Sequence, residues 1–172
     1  MSASSVILRD MQPADLDQVL ALLTHWNLAP IAPSAEIPHP ERTEFTVENA
    51  TVAVDRGRIV GVNSFLPLSP TVAEGASFAV APDYRRRGIG KQLIDANRRK
   101  MYRRGIRTLR SEADRPEAIR MMLGGGHRIV GTVPKRHAFG AAGINHWTVL
   151  ELDLTTVPEL ADLRRTTGDD HA

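Results

Sequence analysis

Apolar and polar positions along the chain change period several times, and each change predicts a new element. Residues 12–26, QPADLDQVLALLTHW, place Leu16, Val19, Leu20 and Leu23 at helical spacing. A 3.6-residue repeat returns over 88–104, where Gly105 is a plausible stop, and a short helix is predicted over 115–123. Short apolar runs predict the remaining elements as strands: 5–11, two strands within 45–68 around a turn at Asp55-Arg56-Gly57, then 75–81, 106–113, 127–133 and 146–154.

This order of elements predicts an α+β fold. We expect a central mixed, mostly antiparallel sheet of about six to seven strands flanked by about four helices, in a single domain over 1–172. Residues 27–44 contain four prolines and are predicted to form a loop. The polar tail over roughly 158–172 is expected to be helical or disordered.

Composition narrows the class of protein. The 172 residues include no cysteine, which excludes disulfides and thiolate metal sites, and the six histidines lack ligand spacing, so no metal is expected. The N-terminal residues lack the features of a signal peptide, and no apolar run approaches the length of a membrane span. We therefore expect a cytoplasmic protein that does not contact membranes.

The net charge of +2 conceals a strong asymmetry. Residues 84–128 hold 14 of the 22 basic residues but only 4 of the 20 acidic ones. Charge concentrated in one segment attracts anions over several ångströms, so a partner that carries phosphate is indicated, either a cofactor or a nucleic acid. Residues 1–83 are net acidic instead, which is compatible with a cationic acceptor.

The segment FAVAPDYRRRGIGKQL, residues 78–93, carries the most specific signal. A strand there gives way to a helix whose first N–H groups lack partners, and such a helix N-terminus binds anions. Gly88 and Gly90 would let a phosphate approach the backbone, and three arginines with Lys91 add positive charge. Walker and dinucleotide motifs fit less well, because Gln92 and Leu93 occupy required positions. The pattern predicts a pyrophosphate site.

The same segment strongly resembles the acetyl-coenzyme A signature of the GNAT superfamily of N-acetyltransferases. Arg85, Gly88 and Gly90 fill the three motif positions, after Val80 and Pro82. The resemblance implies the fold predicted above, acetyl-CoA as the cofactor without a metal, and acetyl transfer to an amine. It implies that the cofactor is bound by Phe78, Val80, Arg85, Arg86, Arg87, Gly88, Ile89, Gly90 and Lys91. A homodimer is compatible with the fold.

Catalytic residues are less clearly marked. Glu74, at the predicted start of strand 75–81, occupies a position where several family members carry a catalytic glutamate. The alternative is a solvated carboxylate at a strand end. Met122 stands where the family usually has a tyrosine acid, so the general acid is unassigned. The simplest interpretation of Met121 and Met122 is core packing.

Two histidines and an aromatic residue are candidates for the acceptor side. His137 is a candidate acid or base, because histidine titrates near neutral pH, and His146 is a candidate acceptor residue. Trp26 and Asn27, at the end of the first helix, are further candidates for acceptor binding. Packing and surface roles are the alternatives for the two histidines.

Three functions fit these features. The first is an acetyl-CoA-dependent N-acetyltransferase that acts on a primary amine of a small molecule, such as an amino acid or an antibiotic-like compound, or alternatively on a peptide or protein. The second is a regulatory module that binds coenzyme A and has lost catalysis, as Met122 suggests. The third, a nucleic-acid binder, is disfavoured because only 5% of the residues are aromatic and none is interleaved with the arginines for base stacking.

Overall fold

The computed structural model describes residues 6–26, 28, 47–135 and 140–168. Within these ranges the strands and helices follow the predicted order. The strands are β1 (Ile7–Asp10), β2 (Ala50–Asp55), β3 (Arg58–Pro67), β4 (Val72–Val80), β5 (Thr108–Ala113), β6 (Arg128–Pro134) and β7 (His146–Asp153). The α-helices are α1 (Leu16–His25), α2 (Ile89–Arg103), α3 (Pro116–Gly124) and α4 (Ala161–Thr167).

The seven strands form one sheet in the order β1-β2-β3-β4-β5-β7-β6. β4 and β5 are parallel over three residue pairs, from Val72 opposite Thr108 to Glu74 opposite Arg110. β1 with β2, β2 with β3, β5 with β7, and β6 with β7 pair antiparallel. The predicted α+β fold with a mixed, mostly antiparallel sheet is therefore confirmed.

Contacts divide the chain into two compact units, the first of which combines residues 1–66 with 76–97. Its core is built from α1, β2, β3 and the start of α2, with Val19, Leu23, Val60 and Leu93 fully buried. Gly61 allows α2 to pack against β3, because a Cβ atom there would lie 2.7 Å from Leu93 Cδ1. This packing fixes the N-terminal part of α2.

The second unit combines residues 67–75 with 98–172. Its buried residues come from the end of α2 and from β5 and β7, and include Met101, Tyr102, Leu109, Leu150 and Leu152. α2 ends where predicted, since Gly105 adopts a left-handed φ of 89° and its N–H donates to the Tyr102 carbonyl. β6 forms one edge of the sheet.

One strand boundary was predicted wrongly. β4 begins at Val72 rather than at residue 75, because the turn lies earlier: the N–H groups of Leu68 and Ser69 both donate to the Val72 carbonyl. Gly75 lies inside the strand. Glu74 is therefore a mid-strand residue and not a strand end.

Three smaller expectations also changed or were resolved. Residues 47–49 form a 3-10 helix, so β2 begins only at Ala50. Met121 is 49% exposed and does not pack in the core, because no residue of α3 is buried. The polar tail contains α4, and an ion pair between Arg99 and Asp162 connects that helix to α2. The predicted loop 27–44 lies outside the described residues except for Leu28.

Candidate active site

The connection between β4 and α2 has an unusual backbone conformation. It passes through a 3-10 helix, Pro82–Tyr84, after which Arg86 and Gly88 adopt left-handed φ values of 60° and 79°. Among the residues that the structure describes, the N–H groups of 86–90 donate no backbone hydrogen bond. Consecutive unpaired N–H groups in a left-handed turn before a helix form an anion-binding concavity. The backbone of this turn therefore fits the pyrophosphate predicted from the sequence.

The two glycines of this turn have different physical roles. A side chain at Gly88 would not clash, because a Cβ atom there would meet only the side chain of Gln92 at 3.9 Å. Glycine is favoured at this position by its positive φ. Gly90 has ordinary helical geometry, and a Cβ atom there would lie 3.2 Å from the ring of Phe78. Gly88 shapes the turn, whereas Gly90 lets the start of α2 lie close to β4.

Aromatic rings position two of the three arginines. The guanidinium of Arg85 lies 5.4 Å from the ring centre of Trp26, and that of Arg87 lies 4.8 Å from the ring centre of Tyr84. Cation–π contacts at exposed sites contribute about 0.5–1 kcal/mol and limit where the charge moves. Arg85, Arg86 and Arg87 are all exposed, so their charges face solvent beside the unpaired N–H groups.

Tyr84 is fixed in turn by neighbouring charged residues. Its hydroxyl donates to the carboxylate of Asp55 at 2.6 Å, and this hydrogen bond raises the pKa of Tyr84. Arg58 lies 5.6 Å from the Tyr84 ring centre and forms an ion pair with Asp83 at 2.9 Å. Tyr84 is thus a structural support of the turn, and its hydroxyl hydrogen is engaged by Asp55.

Trp26 lies beside the cofactor-binding candidates. Its indole N–H donates to the Val80 carbonyl at 3.1 Å, in addition to its contact with Arg85. Sequence reasoning placed Trp26 with the acceptor, whereas these contacts put it next to Val80 and Arg85. Asn27 lies outside the described residues. Lys91 forms an ion pair with Asp95 one helical turn further along α2, at 2.7 Å.

Glu74 is a half-buried carboxylate with no direct partner. Within the described ranges it makes no hydrogen bond or ion pair, and Arg110 is opposite it on β5. Burial raises the pKa of Glu74, the nearby carboxylate of Glu112 raises it further, and Arg110 lowers it. A half-buried carboxylate with a raised pKa has the properties of a general base.

The two histidine candidates are only partly described. His146 is exposed at the start of β7, where its Nδ1 lies 3.4 Å from the side-chain oxygen of Asn145. His137 lies outside the described residues. Lys135, two residues before it in the chain, belongs to a buried cluster that sequence reasoning missed.

That buried cluster joins the ends of three strands in the second unit. Lys135 Nζ lies 2.6 Å from an oxygen of Asp114, and both side chains are less than 10% exposed. The same oxygen accepts the N–H of Ala141 at 2.5 Å, and Lys135 Nζ lies 4.4 Å from the ring centre of Trp147. No spacing in the sequence marks this pair, since 21 residues separate its members. It holds residues 140–141 against the end of β5.

The segment around Met122 carries no titratable group that replaces the usual tyrosine. Met122 is partly exposed, and its carbonyl contacts the backbone N–H and the ring Nδ1 of His127, both at 3.1 Å. Burial lowers the pKa of His127 and the neighbouring charge of Arg98 lowers it further, so this ring is held neutral. His127 is therefore a packed side chain of the second unit.

Two kinds of feature are absent from the part of the chain that the structure describes. No group of three or more histidine, aspartate and glutamate side chains there could hold a metal ion. None of the helices there is long and apolar enough to cross a membrane.

A family comparison agrees with this geometry. A sequence model described as the Acetyltransferase (GNAT) family matches residues 19–124, which run from within α1 to the end of α3 and include the whole β4–α2 turn. The chain belongs to the GNAT family of acetyltransferases. The predicted family, the acyltransferase activity and acetyl-CoA as cofactor are thereby confirmed. No curated protein matches the chain in sequence.

Solved structures show the same fold at low sequence identity. Ard1 from Thermoplasma volcanium is 21% identical with a TM-score of 0.66, covering 87% of this chain and 97% of that one. The ribosomal-protein-S18-alanine N-acetyltransferase from Escherichia coli is 18% identical with a TM-score of 0.65, over 87% and 94% of the two chains. N-acetylglutamate synthase from Neisseria gonorrhoeae, complexed with coenzyme A and N-acetyl-glutamate, is 17% identical with a TM-score of 0.63, over 89% and 36%.

Proposed function

We propose that the protein transfers the acetyl group of acetyl-CoA directly to a primary amine of a small molecule. The observation that carries this proposal is the turn between β4 and α2, with its left-handed Arg86 and Gly88 and its unpaired N–H groups over 86–90. The arginines beside it supply the charge that a pyrophosphate requires.

Two parts of the first unit bind the cofactor. The N–H groups from Arg86 to Lys91 bind the pyrophosphate. The guanidinium groups of Arg85 and Arg87, which lie against the rings of Trp26 and Tyr84, attract the same anion. The main chain of Phe78 and Val80 binds the pantetheine arm. The bound cofactor supplies an acetyl thioester, whose carbonyl carbon is attacked by the amine.

Glu74 is the proposed general base. An alkylamine near pKa 10 is mostly protonated at neutral pH, so attack requires removal of a proton. Glu74 makes no hydrogen bond or ion pair within the described ranges, and its raised pKa makes it a better proton acceptor. The amine nitrogen forms a bond to the acetyl carbon as the carbon–sulfur bond breaks, and Glu74 or a water beside it takes the proton from nitrogen.

The proton for the departing thiolate has no obvious donor among the described residues. Met122 has none to give, Tyr84 is bound to Asp55, and His127 is buried and held neutral. His137 remains the proposed acid. A thiolate leaves without full protonation more easily than an alkoxide does, because thiols have pKa values near 8.5.

The acceptor class is proposed from charge and from the neighbours. The acidic balance of residues 1–83 suits a cationic amine. Of the neighbours, one is named for a protein alanine and another for an amino acid, so a peptide or protein amine is the second candidate. A coenzyme A-binding module without turnover is the third, favoured only by Met122.

A steady-state assay of coenzyme A release distinguishes these functions. Wild-type protein is tested with acetyl-CoA against polyamines, free amino acids, aminoglycosides and alanine-terminated peptides. Turnover with a small amine supports the main proposal, and turnover only with peptides supports the second. Cofactor binding without turnover on any acceptor would contradict both and leave the regulatory module.

A substitution of Glu74 tests its role within the active enzyme. We expect Glu74→Gln to lower kcat/KM most near neutral pH, and less at pH 9–10, where more of the amine is already deprotonated. Glu117→Gln, on the exposed face of α3, is the matched control and should follow the wild-type pH profile. A constant ratio of variant to wild type across the pH range would exclude Glu74 as the base.

A further inference from the structure

A row of charged side chains crosses four strands of the second unit. The strand registers place Glu74 on β4 opposite Arg110 on β5, Arg110 opposite Glu151 on β7, and Glu151 opposite Arg128 on β6. Directly paired residues share a face of the sheet, so the four side chains alternate in charge along one row. Glu112, two residues after Arg110, lies on the same face of β5.

The outer half of this row is an ordinary surface ion pair. Arg128 and Glu151 approach to 3.2 Å with a hydrogen bond, and the Arg128 side chain is 77% exposed. Such exposed pairs contribute little to stability, typically about 0–1 kcal/mol. Nothing about this half requires a ligand.

The inner half of the row, Glu74 and Arg110 with Glu112 beside them, differs from an ordinary surface ion pair. Arg110 and Glu112 are only partly exposed, at 36% and 27%, and their closest approach is 3.7 Å, which is too long for a hydrogen bond. Across the described ranges, the guanidinium of Arg110 and the carboxylates of Glu74 and Glu112 make no hydrogen bond at all. Three partly buried charged groups without hydrogen bonds gather at one place.

The sizes of these groups suit a small zwitterion. Neighbouring strands lie about 4.8 Å apart, and residues two apart on one strand lie about 6.6 Å apart, so the three side chains leave the sheet within about 8 Å of one another, within reach of one small molecule. Two carboxylates match an ammonium group, and a guanidinium with free donors matches a carboxylate in a bidentate pair. An amine without an anionic group would leave Arg110 unused.

We propose that Arg110 and Glu112 belong to the acceptor site with Glu74, and that the acceptor is an amine that also carries a carboxylate. Arg110 binds the carboxylate of the acceptor, and Glu74 and Glu112 receive its ammonium group before a proton is removed. This inference rests on the proposed acetyltransferase function. It makes Arg110 the residue that distinguishes an amino acid from a simple amine.

The test compares each free L-amino acid with its own carboxamide, which keeps the amine and the side chain but loses the negative charge. Kinetics with acetyl-CoA are measured for wild type, Arg110→Gln and Arg110→Lys. The matched control is Arg128→Gln, an arginine of the same row whose partner is Glu151. The quantity compared is the ratio of kcat/KM for the amino acid to kcat/KM for its carboxamide. Because this ratio is compared between variants of one enzyme, differences in the pKa of the acceptor amines cancel.

We expect Arg110→Gln to lower the ratio of kcat/KM for at least one amino acid to kcat/KM for its carboxamide by about tenfold or more relative to wild type, the scale of a charge-assisted hydrogen bond. The loss should come from a higher KM for the amino acid with the carboxamide unchanged, and Arg110→Lys should keep part of the wild-type ratio. Arg128→Gln should match wild type. Calorimetric titration of the amino acid into the complex with free coenzyme A should show the same loss of affinity without relying on turnover.

Several outcomes would overturn the inference. An unchanged ratio of amino acid to carboxamide kcat/KM in Arg110→Gln, or no acetylation of any amino acid, would each exclude Arg110 as the carboxylate-binding residue. If other amines are acetylated in those cases, the proposed function stands and only the acceptor class is wrong. If no amine of any kind is acetylated although acetyl-CoA binds, the proposed function itself fails.

Discussion

At the scale of single residues, Glu74 carries a charge in surroundings that oppose it. It is half-buried, it faces the like charge of Glu112, and it has no hydrogen bond within the described ranges. Burying a charged group without a partner costs free energy, so a residue in this state is retained at the expense of stability. An active-site base is the kind of role that explains such a residue.

The raised pKa of Glu74 predicts a gain in stability when its charge is removed. The folded chain holds this proton more tightly than the unfolded chain, so its contribution to the free energy of unfolding falls as pH rises from about 4.5 through the raised pKa. We expect Glu74→Gln to melt at a higher temperature than wild type at pH 7.5, with a difference that shrinks as pH is lowered toward 4.

Differential scanning calorimetry at both pH values measures this effect. Glu151→Gln is the control, because Glu151 is paired with Arg128 and gains nothing from neutralisation. A lower melting temperature for Glu74→Gln at pH 7.5 would show that the carboxylate is well accommodated, which would weaken its assignment as the base.

At the scale of elements, the strands β5, β6 and β7 are connected by a buried ion pair. Asp114 follows β5 and Lys135 follows β6. Ala141, in the segment before β7, and Trp147, the second residue of β7, contact the pair. Removing one member of a buried pair leaves the other charged and without a partner. The integrity of this end of the second unit therefore depends on both residues.

We expect Lys135→Met to lower the free energy of unfolding by about 3–5 kcal/mol, the typical result of breaking a buried pair. Arg128→Met, which breaks an exposed pair, is the control and should cost no more than about 1 kcal/mol. Urea denaturation of both variants measures the difference. Equal, small effects would mean that Asp114 remains satisfied without Lys135.

The elements also show what the sequence could predict. Periodicity located β1 to β7 and α1 to α3, most clearly where an element buries a regular set of apolar positions, as α2 does with Leu93, whereas the tail that contains α4 was only expected to be helical or disordered. Periodicity misplaced the start of β4, since a turn made by Ser69 and Val72 carries no glycine, while Gly75 lies inside the strand.

Site residues were predicted where the chemistry is local in sequence. The turn over 85–91 could be proposed as the cofactor site because its arginines and glycines follow one another in the chain. The Asp114–Lys135 pair and the row through Arg110 could not, because strand pairing joins residues far apart in the chain. The contact of Trp26 with Val80 was missed for the same reason, with 54 residues between them.

At the scale of the whole molecule, the concentration of positive charge in 84–128 predicts a salt dependence. Screening shortens the reach of exposed charges, since the Debye length falls from about 10 Å at 0.1 M to about 3 Å at 1 M. We expect the affinity for acetyl-CoA to weaken as NaCl is raised from 0.05 to 0.5 M, because salt screens the attraction between the exposed guanidinium groups and the phosphates.

Acetyl-pantetheine is the control ligand for this titration, because it has the thioester arm without the pyrophosphate and adenosine phosphates. Its affinity should be weak and nearly independent of salt. A salt dependence as steep for acetyl-pantetheine as for acetyl-CoA would mean that the arginines do not act on the phosphates.

The central claim is that the turn from Arg85 to Lys91 binds the pyrophosphate of acetyl-CoA, and calorimetric titration of Gly88→Glu tests it most directly. Gly57→Glu is the matched control: Gly57 has a φ of 80° in open space in the turn between β2 and β3, so both variants add the same charge at the same backbone strain.

We expect both variants to lose similar stability, and only Gly88→Glu to lose acetyl-CoA binding. Binding of acetyl-CoA to Gly88→Glu with the affinity of wild type, or an equal loss in Gly57→Glu, would contradict the assignment of this turn as the cofactor site.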